Sequence, residues 1–318
     1  MTGTLHELWD TTRLRLLVEL ERHGSVSAAA QAVGIGQPSA SAHLRLLETA
    51  AGQRLVERNG RGSRLTEAGR VVAARAAQAL ASLGAAEEEL ASLAGLETGT
   101  IHVGASTIPG VYLLPDTLGC FRRDFPGVTI EIEIASSGAI LDRLRAGAIQ
   151  LALVGTAEVD ERVVLEPFLE DELVGIAKPG LLPIERGRIR PKGLAGAMLL
   201  ERERGSASRR LADRELADLR IRWGGVWELG SSEAIKRAAR AGLGVAFLSR
   251  YAVAEEVERG ELECFRLAGR PPLKRHFSVA RLAGRPLGPA ERGFVATLTR
   301  CCVKTAAYAE ACVGALPA

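Results

Sequence analysis

The apolar residues of the N-terminal part of the chain recur at helical spacing and predict three successive helices. The first covers residues 6–22, and the other two lie within residues 25–48. Gly34 separates the second helix from the third, and a glycine can adopt positive φ and redirect the chain within a few residues. The pattern predicts a helix-turn-helix. The apolar faces of its two helices comprise Ala29, Ala30, Val33, Ala40, Leu44 and Leu47.

A long alanine-rich helix is predicted over residues 66–96. Its apolar positions alternate in spacing between four and three residues, which is the a/d pattern of a coiled coil. The pattern favours a partner helix, hence a homodimer or homotetramer, and the alternative is a helix lying on its own domain. The predicted dimerisation seam comprises Val72, Ala76, Ala79, Leu83, Ala86, Leu90 and Leu93.

From Thr100 onward, strand patterns alternate with helix patterns, which predicts an α/β fold with a mostly parallel sheet. Short apolar runs at residues 101–104, 128–134 and 151–154 are the first strands. Separate strands are predicted at 163–168 and 172–177, with later strands near 198–200, 226–229, 244–248 and 274–280. Helices are predicted at 110–124, 138–146, 206–219, 231–242, 249–259 and 288–300, before a weakly patterned tail at 304–318.

Residues 54–65 contain two short strands around Asn59-Gly60, which predicts a β-hairpin wing beside the helix-turn-helix. Four arginines oppose Glu57 there, whereas the whole chain carries a net charge of only +3. Affinity for nucleic acid must therefore come from this local patch. A basic hairpin can hold phosphates beside the DNA groove and gives affinity that weakens with salt.

The third helix presents small polar residues at its start, and short side chains allow a recognition helix to approach base edges in the major groove. Ser25 or Ser27 can cap the preceding helix. These features predict binding to double-stranded DNA, with an ordinary helical bundle as the alternative. The candidate DNA-binding residues are Ser25, Ser27, Gln37, Pro38, Ser39, Ser41, His43, Arg45, Arg54, Arg58, Arg61 and Arg64.

Catalytic and export signals are missing from the sequence. It contains no Walker A loop, GxSxG elbow or HExxH motif, so a two-lobed enzyme is the weaker alternative. The N-terminus lacks a signal-peptide pattern and no apolar run is long enough to span a membrane, which disfavours an exported solute-binding protein and indicates a cytoplasmic one.

Five scattered cysteines without CxxC spacing indicate a reducing compartment and no metal or other cofactor. The adjacent Cys301 and Cys302 can be a redox sensor or simply half-buried thiols.

Two N-terminal blocks, SVSAAAQAVGIGQPSASAHLRLLE and GQRLVERNGRGSRLTEAG, resemble the winged helix-turn-helix of the LysR-type transcriptional regulators. The later stretches GASTIPGVYLLP, RERGSASRR and ELGSSEAIKRAARAGLGVAFLSR resemble the effector-binding domain of that family, particularly the branch near the sulfur-assimilation and carbon-fixation regulators. The resemblance implies that Gln37, Pro38 and Ser41 contact base edges and that Arg54 and Arg58 contact phosphates. Gly36 replaces the usual serine cap, which weakens that cap slightly. Ala42 replaces a frequent arginine, so one base or phosphate contact is absent and the DNA sequence read can differ.

The resemblance also implies a domain organisation. A winged helix-turn-helix occupies residues 1–65, a linker helix 66–96 and an effector-binding domain 97–303. That last domain consists of two Rossmann-like subdomains of the periplasmic-binding-protein type, subdomain I at 97–160 and 270–303 and subdomain II at 161–269. The chain crosses between them near 157–162 and 267–271, and a ligand cleft lies between them. The implied function is a dimeric or tetrameric regulator of a dyad-symmetric promoter site, with RNA polymerase as a further partner of an activator.

Hydroxyl side chains occur repeatedly where a predicted strand gives way to a helix. Ligands of open α/β sheets bind at such carboxyl ends, where helix N-termini present unpaired amides. Helix capping by serine is the ordinary alternative for any one residue. Together the hydroxyls predict a small anionic or carboxylate effector. The candidate effector-binding residues are Ser106, Thr107, Ser136, Ser137, Thr156, Ser206, Ser208 and Ser231. The nearby Arg202, Arg204 and Arg209 can add positive charge to the site, with ordinary surface arginines as the commoner alternative.

Overall fold

Three helices and a two-stranded wing form the N-terminal domain, and the helices bury their leucines and alanines against one another. The structure, a computed structural model, describes residues 9–59, 62–93, 99–155 and 160–313. Leu17, Ala29 and Leu47 are completely buried in this domain. Its elements are helices α1 (Thr11–His23), α2 (Val26–Val33) and α3 (Gln37–Ala51) and antiparallel strands β1 (Val56–Asn59) and β2 (Gly62–Leu65).

The turn between α2 and α3 follows the sequence prediction. Gly34 ends α2 in the left-handed region, with φ 78° and its amide hydrogen bonded to the Ala30 and Gln31 carbonyls. Ser25, and not Ser27, caps α2, since its hydroxyl oxygen accepts a hydrogen bond from the Ala28 amide at 3.5 Å. The predicted helix-turn-helix and its turn are therefore confirmed, and α3 continues past the predicted end at Glu48 to Ala51.

The long helix α4 (Glu67–Leu93) is divided between two environments. Ala76 is only 3% exposed and Val72 is partly buried, because both pack into the core of the N-terminal domain. This corrects the predicted seven-residue seam: a partner helix cannot reach Ala76. The Leu93 side chain lies outside the described residues. The outward row comprises Ala79, Leu83, Ala86 and Leu90.

The second half of the described chain contains one large mixed sheet, so the prediction of a mostly parallel sheet is wrong. Strand β3 (Gly99–Ser106) runs parallel to β4 (Val128–Ala135) and β5 (Leu151–Gly155). Strand β12 (Leu273–Leu282) is antiparallel to β5 and to β6 (Val163–Ala177). Strands β10 (Ala246–Ser249) and β11 (Glu263–Leu267) are antiparallel to β6, and β7 (Arg188–Ile189) is parallel to β11. The strand order is β4-β3-β5-β12-β6-β11-β7, with β10 also paired to β6. Further elements are α5 (Leu114–Asp124), α6 (Ser137–Arg145), β8 (Met198–Glu201), α7 (Ala207–Leu216), β9 (Gly225–Glu228), α8 (Ser232–Arg240), α9 (Arg250–Glu258) and α10 (Pro289–Val313).

The chain passes between two lobes inside long strands. Lobe I contains β3–β5, α5, α6 and α10, and lobe II contains β7–β11 and α7–α9. The two strands predicted at 163–168 and 172–177 form the single strand β6, which pairs with β12 from Val163–Leu282 to Leu173–Leu273. Strands β6 and β12 therefore run between the lobes, and they begin just after the predicted crossing segments 157–162 and 267–271. Residues 156–159 of the first segment lie outside the described residues.

The C-terminal helix α10 continues past the predicted end at residue 300 to Val313, which corrects the expected patternless tail. It packs against α9, α5 and the linker helix α4. Ala309 is 1% exposed, so tertiary contacts bury a segment whose own apolar pattern is weak. Residues 314–318 lie outside the described residues.

The recognition helix and the wing are joined by one carboxylate. Oε1 of Glu48 in α3 accepts hydrogen bonds from the amides of Leu55 at 2.9 Å and Val56 at 3.1 Å. The amide of Ser63 on the other strand donates to the Gly24 carbonyl at 2.9 Å. These bonds fix the wing relative to the helices.

We expect Glu48→Ala to lower the free energy of unfolding by about 2 kcal/mol, because hydrogen bonds to a charged acceptor contribute about 1.5–3 kcal/mol each in the buried limit. Chemical denaturation of the full chain followed by circular dichroism measures the loss. Glu48→Gln, which keeps an oxygen acceptor, should lose less, and Gln31→Ala on the exposed face of α2 should be neutral. Equal stability of Glu48→Ala and wild type would contradict this role.

Candidate functional site

The predicted DNA-contacting residues of α3 lie mainly on its outer face. Gln37, Pro38, Ser39 and Arg45 are exposed and Ser41 is partly buried. Pro38 lies in the first helical turn, where its missing amide costs no hydrogen bond. His43 is also partly buried, and among the described residues its Nδ1 has no hydrogen-bond partner. The exposed start of α3 is therefore small and polar, as a helix that approaches base edges requires.

The wing presents arginines on both sides of its turn. Arg54, Arg58 and Arg64 are exposed, and Arg61 lies outside the described residues. Nε of Arg64 donates to Glu57 Oε1 at 2.8 Å, which offsets part of its charge. Ser25 is occupied as a helix cap, and Ser27 is exposed beside it. The basic surface of the N-terminal domain therefore lies next to the outer face of α3.

A second site occupies the cleft between the lobes, and six of the eight predicted hydroxyl residues line it. Thr156 lies outside the described residues. Ser231 does not line the cleft, because its hydroxyl oxygen caps α8 by accepting from the Ala234 amide at 3.1 Å, and this corrects its assignment. The lining hydroxyls are Ser106, Thr107, Ser136, Ser137, Ser206 and Ser208.

The hydroxyls of the cleft differ in whether they cap the helix that follows them. Ser136 caps α6, since its oxygen accepts from the Ala139 amide at 3.3 Å. Ser206 stands at the equivalent N-cap position of α7 but makes no side-chain capping hydrogen bond. It is nevertheless buried, at 6% exposure. The capping explanation therefore holds for Ser136 and fails for Ser206.

Arg275 is the residue that sequence reasoning missed. Its side chain is 3% exposed, and its Nε donates to Asp171 Oδ2 at 2.7 Å while its Nη1 donates to Ser208 Oγ at 3.1 Å. The guanidinium also lies over the Phe277 ring, 4.9 Å from its centroid. Within the described part of the chain Nη2 has no hydrogen-bond partner. A buried, charged donor is thus left with unused capacity beside the cleft.

Arg202 connects the two lobes directly. It is 5% exposed, which excludes the surface alternative for this arginine, and its Nη2 donates to the Thr107 hydroxyl of lobe I at 3.3 Å. Its Nη1 donates to Ser232 at 3.0 Å, and Glu203 pairs with it at 2.7 Å. Of the neighbouring arginines, Arg204 is exposed and Arg209 pairs with Glu201 at 2.9 Å outside the cleft lining.

The charges of the cleft are balanced before any ligand enters. Asp171 faces Arg275 and Glu203 faces Arg202, so each guanidinium already has a carboxylate. Burial raises the pKa of Asp171, and the contacts with Arg275 and Ser249 oppose that rise. Attraction for an anion must therefore come from directed donors, namely Arg275 Nη2, which has no partner within the described residues, the hydroxyls and the N-termini of α6 and α7.

The whole chain can be assigned to one family from its two halves. Residues 11–70 match the bacterial regulatory helix-turn-helix protein, lysR family, and residues 94–302 match the LysR substrate binding domain. The chain belongs to the LysR family of transcriptional regulators. This confirms the resemblance found in the sequence and the two-lobed fold that it implies. The LysR regulator is a DNA-binding protein with an effector-binding domain, and it is not an enzyme.

Relatives of this LysR regulator support the same assignment. It is 30% identical over 293 residues to the transcriptional activator CmpR of Synechocystis sp., covering 92% of this chain and 94% of that protein. It is 32% identical over 264 residues to a probable RuBisCO transcriptional regulator of Nostoc sp., covering 81% and 78%. The expected resemblance to the carbon-fixation branch is thus confirmed. Regulators of the family bind DNA and small effectors and form oligomers.

Among solved structures, the regulatory domain of Synechocystis CcmR, determined in complex with 2-PG, is similar to this regulator with a TM-score of 0.59 and 27% identity. The match covers 64% of this chain and 97% of that domain. None of the helices in the described ranges has the length and apolar character needed to cross a membrane.

We expect Ser206→Ala to change the free energy of unfolding by less than about 0.5 kcal/mol, whereas Ser231→Ala should lower it by about 1 kcal/mol, because only Ser231 caps a helix. Urea denaturation of the two variants measures the difference. A loss in Ser206→Ala as large as that in Ser231→Ala would show that Ser206 is a structural cap and not a free donor.

Proposed function

We propose that this regulator binds a small anion in the cleft between its lobes and that the anion controls its binding to promoter DNA. The observation that carries the proposal is Nη2 of the buried Arg275, which lies beside the hydroxyls of the cleft and has no hydrogen-bond partner among the described residues. A buried charged donor without a partner is unfavourable. An anion bound at this point would satisfy it.

The ligand would contact both lobes. Ser106 and Thr107 follow the end of β3 in lobe I, and Ser206 and Ser208 begin α7 in lobe II. An anion bridging these groups would favour the closed arrangement in which Arg202 reaches Thr107. A ligand shifts an equilibrium only through its differential affinity for the two states. Contacts on both lobes supply that difference.

The similarity to the CcmR regulatory domain, solved in complex with 2-PG, supports an anionic ligand. Because both guanidinium groups of the cleft already pair with carboxylates, individual N–H and O–H donors would hold the ligand, and not a net positive charge. A compact anion that accepts several hydrogen bonds, such as a phosphate, a sulfate or a small carboxylate, matches directed N–H and O–H donors better than a long polyanion does. Which compact anion is the natural effector is the question that a ligand screen answers.

For the DNA-binding domain, we propose that α3 enters the major groove with Gln37, Pro38 and Ser41 at base edges. The wing arginines Arg54 and Arg58 would contact phosphates, which gives affinity without sequence preference. The exposed row of α4 at Ala79, Leu83, Ala86 and Leu90 would pair with a second copy and so match a dyad-symmetric site. Because its proposed target is promoter DNA, we propose that the regulator acts in the cytoplasm.

Replacing both Arg54 and Arg58 by alanine should weaken binding to every DNA sequence about equally, because phosphate contacts carry no sequence information. The slope of log affinity against log salt should become shallower by about 2, one unit for each lost contact. Fluorescence anisotropy over a salt series measures both effects. The matched control is Arg240→Ala with Arg259→Ala, which removes two exposed arginines of lobe II. An unchanged slope in the Arg54/Arg58 variant would exclude the wing contact.

A thermal-shift screen with sulfate, phosphate, 2-phosphoglycolate and small carboxylates should raise the Tm of the wild type with at least one anion. A ligand at 100 times its Kd stabilises the native state by about 2.7 kcal/mol. Ser106→Arg should abolish that shift and the DNA response while basal DNA binding persists, because the larger side chain fills the cleft. Ser231→Ala outside the cleft should retain both responses. A normal shift in Ser106→Arg would place the ligand elsewhere.

A further inference from the structure

Two cysteines from different helices meet on the surface of lobe I, away from the effector cleft. Cys120 lies on α5 and Cys301 on α10, and these two helices pack against each other. Cys120 is partly exposed, whereas Cys301 is buried at 8% exposure. Both line an open groove whose rim includes Arg123 and Lys304. A small reagent can therefore reach Cys120 from solvent and find a second thiol lining the same groove.

The surroundings distinguish the two thiols. The hydrogen bond from Cys301 lowers the pKa of Cys120, and Arg123 and Arg300 lower it further, with Arg123 Nη2 3.4 Å from the Cys120 sulfur. Burial raises the pKa of Cys301, and the hydrogen bond to Cys120 adds to that rise. Cys120 is thus the better nucleophile, and Cys301 keeps its proton beside it.

Two other described cysteines provide internal controls. Burial raises the pKa of Cys302 to about 12 and that of Cys264 to about 11. Cys302 is 2% exposed, so the sequence-adjacent pair Cys301 and Cys302 is not the reactive pair. The thiol that meets Cys301 comes from a residue distant in sequence, on a helix that packs against α10.

We propose that Cys120 and Cys301 form a reversible redox site that hydroperoxides oxidise to a disulfide. The Cys120 thiolate attacks one peroxide oxygen, the O–O bond breaks, and a sulfenic acid and hydroxide form. The Cys301 sulfur then attacks the sulfenic sulfur, and its proton leaves with the hydroxyl as water. Two thiols lose two electrons, and one hydrogen peroxide yields two waters. Thiol reductants restore the pair by exchange.

The disulfide would tie α5 to α10. The segment preceding α5 carries Ser106 and Thr107 of the effector cleft, and α10 packs against the linker helix α4. Oxidation would therefore restrain the connection between the cleft and the linker. The proposal is independent of the anion site, because neither cysteine lines that cleft.

Treatment of the reduced full-length chain with a few equivalents of hydrogen peroxide should produce one cross-linked peptide pair, Cys120 with Cys301, in a non-reducing peptide digest analysed by mass spectrometry. Dithiothreitol should reverse it. Cys302→Ser and Cys264→Ser should form the same bond at a rate within about two-fold of wild type. The proposal is wrong if the linkage joins Cys301 to Cys302, joins two chains, or does not form.

A second measurement uses alkylation, which needs no disulfide. At pH 7, iodoacetamide should modify Cys120 at least ten-fold faster than Cys264 or Cys302 in the folded wild type. In Cys301→Ala and in Arg123→Ala the pH midpoint of Cys120 alkylation should move upward, because each variant removes a group that favours the thiolate. Unchanged midpoints in both variants, with native circular dichroism, would overturn the proposed activation of Cys120.

Discussion

The arrangement of the two lobes of the effector-binding domain depends on the buried ion pair between Arg275 and Asp171. The two residues are register partners on the crossing strands β12 and β6, and Ser249 of lobe II also donates to Asp171, at 2.8 Å. Removing one partner of such a pair costs about 3–5 kcal/mol, because the other charge is left uncompensated. The pair therefore holds the lobe crossing together. It also fixes the direction of the Arg275 guanidinium, so that strand pairing, lobe orientation and the proposed anion donor follow from one contact.

The DNA-binding domain is attached to lobe I by equally specific contacts. Nη2 of Arg22 donates to the Ala148 carbonyl at 2.9 Å. Gly147 has φ +69°, and a Cβ at that position would lie 2.2 Å from the Cβ of Ala77 on the linker helix. Only a glycine allows this approach. The linker helix α4 therefore contacts lobe I at two places, at Gly147 and along α10. A movement of the lobes can be transmitted through these contacts to the DNA-binding domain.

The effector cleft shows how far hydroxyl patterns can be interpreted. Ser106, Thr107 and Ser206 lie in the cleft as their position at strand ends predicts, whereas Ser231 has the same sequence context and caps its own helix. A position at the end of a strand therefore does not reveal whether a hydroxyl caps the following helix or faces the cleft. The alternation of apolar and polar residues in β12 is the sequence signal that could have identified Arg275. Leu273, Arg275 and Phe277 lie on one buried face of this strand. An arginine at an inward strand position needs a buried partner, and the sequence does not name that partner.

By itself the sequence determined the local elements: the helix-turn-helix with its Gly34 turn, the basic wing, the long linker helix and the order of most strands and helices. Short-range periodicity, capping and turn chemistry encode these, so one segment suffices to predict each. Tertiary structure alone decided the mixed sheet, the crossing within β6 and β12, the burial of Ala76 and the extension of α10. It also brought Arg275 to Ser208 and Cys120 to Cys301. Those pairings join residues far apart in the chain, and no local pattern specifies which distant partner a buried side chain meets.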